Sequence, residues 1–286
     1  MRPTHGDGLL SKLPLWQRNG RLPWGGMTIL VTGGTGTLGR LVVPSLRHAA
    51  EVRVLSRRPR QPSTGVAYAV GDLETGAGVE QAVSGVDTIV HCAGSRQGDE
   101  EKARTLVRAA HAVGGEPHLV FISVVGADRI PVVSRVDRMA FAYFGGKRAA
   151  EQVVETSGLP WTTLRATQFY DLMLMVSRAM AKLPVIPMPS STRFQPIDAG
   201  DVAQRLVELA LGRPAGLVPA VAGPRIYDAA DLVRGYLRAT GRRRPFVRFP
   251  LPGRAAAAVR AGATLAPDRA VGIRTWEEFL KERVQR

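Results

Sequence analysis

From Met27 onward the apolar residues fall into two alternating kinds of run. Short stretches that are nearly all apolar and rich in Val and Ile, at 27–33, 51–57, 66–70, 86–94 and 118–126, predict strands buried on both faces. Between them, 38–50 and 100–113 carry apolar residues at helical spacing. Parallel neighbours need a crossover, and the crossover helix lands on a face of the sheet. The expected fold class is therefore α/β, a doubly wound parallel sheet, with 27–167 as its main domain. After residue 160 the order is less regular. A strand is expected at 161–167, a helix running to Met180, extended chain at 193–198 and a strand at 217–222, with helices at 201–211, 228–240, 254–266 and 275–284. Residues 168–286 are expected to complete the same fold and to add a smaller C-terminal lobe.

Residues 1–26 break this pattern: Gly and Pro punctuate them and no period lasts. They read as a disordered extension, or as sequence upstream of Met27 as the natural first residue. The rival is a basic arm that docks Leu9, Leu10, Leu13, Leu15 and Trp16 on a membrane or partner. The single cysteine, Cys92, excludes an intramolecular disulfide framework and a multi-cysteine zinc site, and no metal is expected. No apolar run reaches the roughly 18 residues of a membrane span. A reducing, cytoplasmic setting follows as the expectation. The formal net charge of +15 comes from 34 Arg and 5 Lys spread along the whole chain. The densest stretch, 242–260, has six arginines and no acid but is interrupted by Pro245, Pro250 and Pro252. It reads as a solvated rim, and a nucleic-acid partner is not expected.

The strongest motif is Thr32-Gly33-Gly34-Thr35-Gly36-Thr37-Leu38-Gly39, between the first strand and the first helix. Glycines 33, 36 and 39 permit, in order, a tight turn, approach of the backbone to a pyrophosphate, and close packing of helix on strand. Free N–H groups at the helix start, around Thr35, Thr37 and Leu38, then face the phosphates. The second strand ends in Ser56-Arg57-Arg58, with no carboxylate to accept from a ribose 2′-OH. Two guanidiniums stand instead where a 2′-phosphate would lie, so NADP(H) is expected as cofactor. Asp72-Leu73 after the third strand, and Cys92-Ala93-Gly94 at the end of the fourth, fit the same cradle.

These residues, with the segments FISVVGAD, YFGGKRAAEQ, SGLPWTTLRATQF, PIDAGDVA and TWEEFL, resemble the atypical, NmrA-like branch of the short-chain dehydrogenase/reductase superfamily over nearly all of 27–286. The resemblance implies a Rossmann fold and an NADP(H)-dependent oxidoreductase acting on a small organic molecule. Tyr143 and Lys147 are four apart and share a face if the helix is continuous. A phenol titrates near about 10 and needs a neighbouring cation to act as a base. The resemblance gives Lys147 the further task of holding the nicotinamide ribose, and gives Ser123 a hydrogen bond to the substrate oxygen. Tyr143 would donate a proton to a carbonyl or enone product. Gly145-Gly146 leaves two possibilities open: a continuous helix with room for the cofactor, or a helix that begins only at Gly146 and turns Tyr143 away. The asparagine that completes the proton relay of conventional members is missing, since the chain's one Asn is Asn19.

A pocket wall is expected from Gln168-Phe169-Tyr170 and from 172–188, where Met173, Met175, Met180 and Met188 suit either an adaptable apolar site or a core. Gln168 and Phe169 are the substrate candidates, with Arg165 as a further polar handle. Asp198 and Asp201 read as the turn and cap of the helix at Val202. The resemblance also admits a second class of function, a non-catalytic NADP-sensing regulator or accessory subunit. Oligomeric state is not legible.

Overall fold

The structure, a computed structural model, describes residues 26–94 and 98–284. The expectation for the first 26 residues thus lies outside the described residues, save Gly26. The first half runs β1 (Thr28–Thr32), α1 (Gly39–Leu46), β2 (Glu51–Ser56), β3 (Val66–Val70), α2 (Val79–Val83), β4 (Thr88–His91), α3 (Asp99–Ala112), β5 (His118–Val124), α4 (Arg135–Glu155) and β6 (Trp161–Ala166). Then come α5 (Tyr170–Met180), β7 (Ile186–Pro189), β8 (Arg193–Phe194), α6 (Ala199–Leu211), β9 (Gly216–Leu217), β10 (Tyr227–Asp228), α7 (Ala229–Ala239), β11 (Phe246–Phe249), α8 (Arg254–Arg260) and α9 (Trp276–Val284).

Seven strands pair in the order β3-β2-β1-β4-β5-β6-β9, and every pairing is parallel. The order reverses between β1 and β4, which opens a crevice beyond their carboxyl ends. The expected doubly wound α/β fold is borne out. All seven residues of β5 are buried, as a central strand covered on both faces requires. On one face Ile29, Val31, Val120, Ile122 and Leu164 pack against α1 and α6. On the other, Leu30, Ile89, Leu119 and Phe121 pack against α2, α3 and α4. Each such side chain contributes about 1.5–3 kcal/mol by leaving water. A third core joins α5, α7 and α9 around Tyr170, Trp276 and Phe279, whose ring centroids stand 5.3–5.7 Å apart. The Trp276 indole N–H donates to the Leu232 carbonyl at 3.0 Å, and the Tyr170 hydroxyl to that of Arg274 at 2.7 Å.

Several boundaries differ from the expected ones. The strand expected at 217–222 is only Gly216–Leu217, followed by isolated bridges at Val221 and Ala222. The helix expected at 254–266 stops at Arg260, because Gly262 takes φ +93° and turns the chain. The helix expected at 38–50 is cut to Gly39–Leu46. The parallel pair β7–β11 was not expected: Pro187, Pro189 and an exposed FVRF segment disguise both strands.

Candidate functional site

The glycine turn shows three separate constraints. Gly33 has φ +68°, and a Cβ there would lie 2.6 Å from the Ala93 amide nitrogen, so the turn presses on the end of β4. A Cβ on Gly39 would overlap the Gly33 carbonyl and lie 2.5 Å from the Gly34 Cα, where α1 closes on its own turn. Gly36 differs, since a Cβ there would meet only the Gly33 carbonyl, at 3.3 Å. Its outer side is open. The amides of Thr37, Leu38 and Gly39 have no protein acceptor among the described residues, while that of Gly36 is spent on Gly33. The start of α1 therefore offers the amides and the positive dipole end that an anion takes. Thr35 lines a depression of about 410 Å³ beside it.

Beyond β2, Ser56 Oγ donates to the Arg58 carbonyl at 2.8 Å and holds the bend. Arg57 and Arg58 are exposed and form no ion pair among the described residues. The depression itself is walled by Arg40, Arg47 and Arg60, with Gly34 and Thr35 at its edge. Arg40 was overlooked in the sequence, although it directly follows the third glycine. Its nearest carboxylate is Asp171, at a long 3.9 Å.

The β4 end is tied to β1. Thr32 Oγ1 and His91 Nδ1 share a hydrogen bond of 2.6 Å, and the Cys92 amide donates to the Thr32 carbonyl at 3.1 Å. Burial, then the Lys147 charge, pushes the His91 imidazole down to about 3, so it is neutral and stacks on Phe121. Burial pushes the Cys92 thiol up to about 12, which makes it an unreactive filler. Ala93 and Gly94 continue along the crevice. Asp72 accepts the Glu74 amide at 2.9 Å in a turn beyond β3, and Leu73 is buried in the core.

Helix α4 settles the open question about Tyr143. It runs unbroken through Gly145-Gly146, capped at its start by Ser134 and Asp137 in a reciprocal box. Tyr143 and Lys147 therefore share a face, with Lys147 Nζ 6.0 Å from the tyrosine ring centroid. Lys147 is 4% exposed and held on four sides. Nζ lies 3.2 Å from Asp99 Oδ2, donates to the Ile122 carbonyl at 3.2 Å and sits 4.9 Å above the Phe121 ring. The fourth side is Gly94, where a Cβ would come within 3.3 Å of Nζ. Asp99 was also missed, because the sequence reading looked for an asparagine in that helix. Ser123, alternating with Phe121, falls on the sheet face that α4 covers. Its Oγ is buried without a hydrogen-bond partner among the described residues.

Thr167 Oγ1 and both polar atoms of Gln168 are likewise buried without partners, just past β6. Such groups cost about 1–3 kcal/mol each, and here they gather at the carboxyl ends of β5 and β6. Phe169 packs partly buried against the sheet core. Arg165 is corrected: it is not a substrate handle. Its guanidinium donates twice to Glu151, at 2.7 and 2.8 Å, and to Asp128 at 2.7 Å, so its charge is spent inside the protein. Met173 and Met188 are core, whereas Met175 faces outward. Asp198 caps α6 through the Gly200 amide, and Asp201 accepts from the Ile273 amide.

A family profile described as NAD(P)H-binding matches residues 33–211, more than half of the chain. The chain belongs to the NAD(P)H-binding family. The expected NAD(P)-binding Rossmann character is borne out. Within that family it is 30% identical over 220 residues to the (4-alkanoyl-5-oxo-2,5-dihydrofuran-3-yl)methyl phosphate reductase of Streptomyces griseus, covering 75% of this chain and 74% of the relative. It is also 30% identical to the NAD(P)H azoreductase of Xenophilus azovorans, over 78% of this chain and 77% of that one. Photosystem II assembly factor Ycf39 of Cyanophora paradoxa is 26% identical, over 79% and 72%. Among solved structures, the NADPH-dependent quinone oxidoreductase QOR2 of Escherichia coli, complexed with NADPH, superposes with a TM-score of 0.74 at 17% identity, covering 89% of this chain and 99% of that one, which speaks for the fold.

Proposed function

We propose that this member of the NAD(P)H-binding family is an NADP(H)-dependent oxidoreductase that reduces a carbonyl or an activated double bond of a small organic molecule. The observation that carries the reading is the unbroken α4, which sets Tyr143 and Lys147 on one face over the end of β5. The dinucleotide, when bound, supplies a hydride. The open side of Gly36 and the partnerless amides of Thr37, Leu38 and Gly39 fit its pyrophosphate. Ser56, Arg57 and Arg58, with Arg40 beside the turn, receive the 2′-phosphate. Asp72, Leu73, Cys92, Ala93 and Gly94 border the rest of the cradle. Ser123 Oγ orients the substrate oxygen, Lys147 holds the ribose, and Tyr143 gives the proton. Gln168 and Phe169 form the substrate wall, whose unpaired amide favours a ligand that both donates and accepts hydrogen bonds.

The relatives suggest the panel: a quinone, an azo dye and an unsaturated lactone. Substrate-dependent NADPH oxidation is expected with at least one of them. Tyr143→Phe is expected to lower kcat by about 10²-fold or more while leaving NADPH affinity within about twofold. A second reading, a non-catalytic dinucleotide-holding subunit, is favoured by kinship with the assembly factor of Cyanophora paradoxa. It predicts tight NADPH binding by calorimetry and no turnover with any of the three.

A further inference from the structure

We infer that Asp99 sets this site for reduction: its carboxylate neutralises Lys147 inside the protein, so that Tyr143 keeps its proton and acts as donor rather than base. The inference rests on the reading of Tyr143 as the proton-transferring group.

A phenol becomes a base only when its anion is stabilised, and a lone buried ammonium nearby would do that. Here the ammonium is not alone. Lys147 Nζ and Asp99 Oδ2 stand 3.2 Å apart, and both residues are under 5% exposed, so solvent does not screen the pair. At the Tyr143 ring, 6.0 Å from Nζ, the two opposite charges largely cancel. Among the described residues, no other group restores a net positive field. Lys102, on the same helix as Asp99, faces the Glu74 carboxylate at 3.4 Å. At the end of β4 His91 is neutral, and Cys92, which follows it, is a thiol. The remaining contacts of Lys147 are the Ile122 carbonyl and the Phe121 ring, which carry no formal charge. Tyr143 keeps 38% of its surface exposed, yet desolvation and then the Asp99 carboxylate push its phenol up to about 12.

A neutral phenol suits the reductive direction. The bound reduced dinucleotide would supply the hydride to the substrate carbon and would itself be oxidised. The carbonyl oxygen takes the Tyr143 proton, giving an alcohol, and the phenolate is reprotonated from water. Oxidation of an alcohol would need the phenolate at the outset, and Asp99 opposes its formation.

The test is a pH titration of the full chain labelled with ¹³Cζ-tyrosine, with and without saturating NADPH. Tyr143→Phe assigns its signal among the five tyrosines. In the wild type, Tyr143 is expected to stay protonated beyond about pH 10, and in Asp99→Asn its midpoint is expected to fall by about 1 or more while the other four hold still. Asp99→Glu should keep the high midpoint. In the panel assay, the variant Asp99→Asn should gain an alkaline limb in kcat that the wild type lacks. A wild-type midpoint below about pH 9, or an Asp99→Asn midpoint that does not move, overturns the inference. If Asp99→Asn fails to fold, Asp99→Ser takes its place in the titration, with the same fall in the Tyr143 midpoint expected and an unmoved midpoint overturning the inference. Absence of turnover would remove the oxidoreductase reading without touching the titration, so the two failures are separable.

Discussion

Two glycines of the same turn should fail in opposite ways. Gly39 is packed, and any side chain there collides with the Gly33 carbonyl and the Gly34 backbone. Gly36 is open and meets one atom at 3.3 Å. Gly39→Ala is therefore expected to destabilise the apo fold by about 2 kcal/mol or more, read by urea unfolding. Gly36→Ala should leave that unfolding curve within about 0.5 kcal/mol and instead weaken NADPH binding by about tenfold or more, read by calorimetry, because on the proposed reading the new methyl group would stand where phosphate oxygens approach. His91 supplies a second residue-scale outcome. The unfolded imidazole takes a proton near 6.5, while the folded one stays neutral down to about 3. Its contribution is thus whole above pH 6.5 and drains away as pH falls through that interval. By about pH 4.5 the loss amounts to about 3 kcal/mol relative to neutral pH. His91→Asn should flatten that part of the stability profile. An unchanged slope would mean that other groups carry it.

Helix α4 carries Tyr143 and Lys147, the pair proposed for catalysis, and its two glycines report on different neighbours. Gly145 turns toward Val132, where a Cβ would make ordinary contact at 3.5 Å. Gly146, three residues after Tyr143 and next to Lys147, looks into open space. Both substitutions to Ala are expected to stabilise the helix by up to about 1 kcal/mol. Gly145→Ala should leave kcat/KM alone. Gly146→Ala should lower it by about tenfold, since on the proposed reading the added methyl would sit on the face turned to substrate and nicotinamide. Steady-state assays beside thermal unfolding separate the two. This element also shows where sequence reading stops. The glycine triad and the strands were legible because each reflects a strict local demand, a residue without a side chain or a segment buried on both faces. Continuity of α4 was not, since the Ser134–Asp137 box that starts it lies well before the glycines that obscure it. Asp99 stayed hidden for another reason. It stands in the first turn of α3, where an acid usually serves the helix dipole, and only the packing of α3 on α4 brings it to Lys147. Arg165 looked available for the same cause, until β6 and α4 placed it against Glu151. Arg53, buried in β2 and donating to the carbonyls of Ala82 and Ser84 that end α2, was invisible within an apolar run.

Over the whole molecule the charge is uneven in a way that bears on the choice of coenzyme. The formal net charge is +15, yet many of the carboxylates are taken up in internal pairs, with Glu151 and Asp128 on Arg165, Asp99 on Lys147 and Asp198 on Arg274. What remains at the mouth of the glycine turn is positive: Arg57 and Arg58 beyond β2, and Arg40, Arg47 and Arg60 around the neighbouring depression. An extra phosphate brings about two further negative charges into that field, and a guanidinium meets it bidentately without ever losing its proton. Arg57→Ala combined with Arg58→Ala is therefore expected to weaken NADPH by about 10- to 100-fold while changing NADH by about twofold at most. These side chains are exposed and form no ion pair among the described residues, so the double variant should unfold at the wild-type temperature. Raising the salt concentration should weaken NADPH more steeply than NADH in the wild type, because screening acts on the exposed part of the field. That difference in slope should shrink in the double variant. Equal losses for the two coenzymes would strip Arg57 and Arg58 of the phosphate and leave their charge to the general basicity of the surface. A selective loss that appears only when Arg40 is also removed would move the phosphate into the depression along α1.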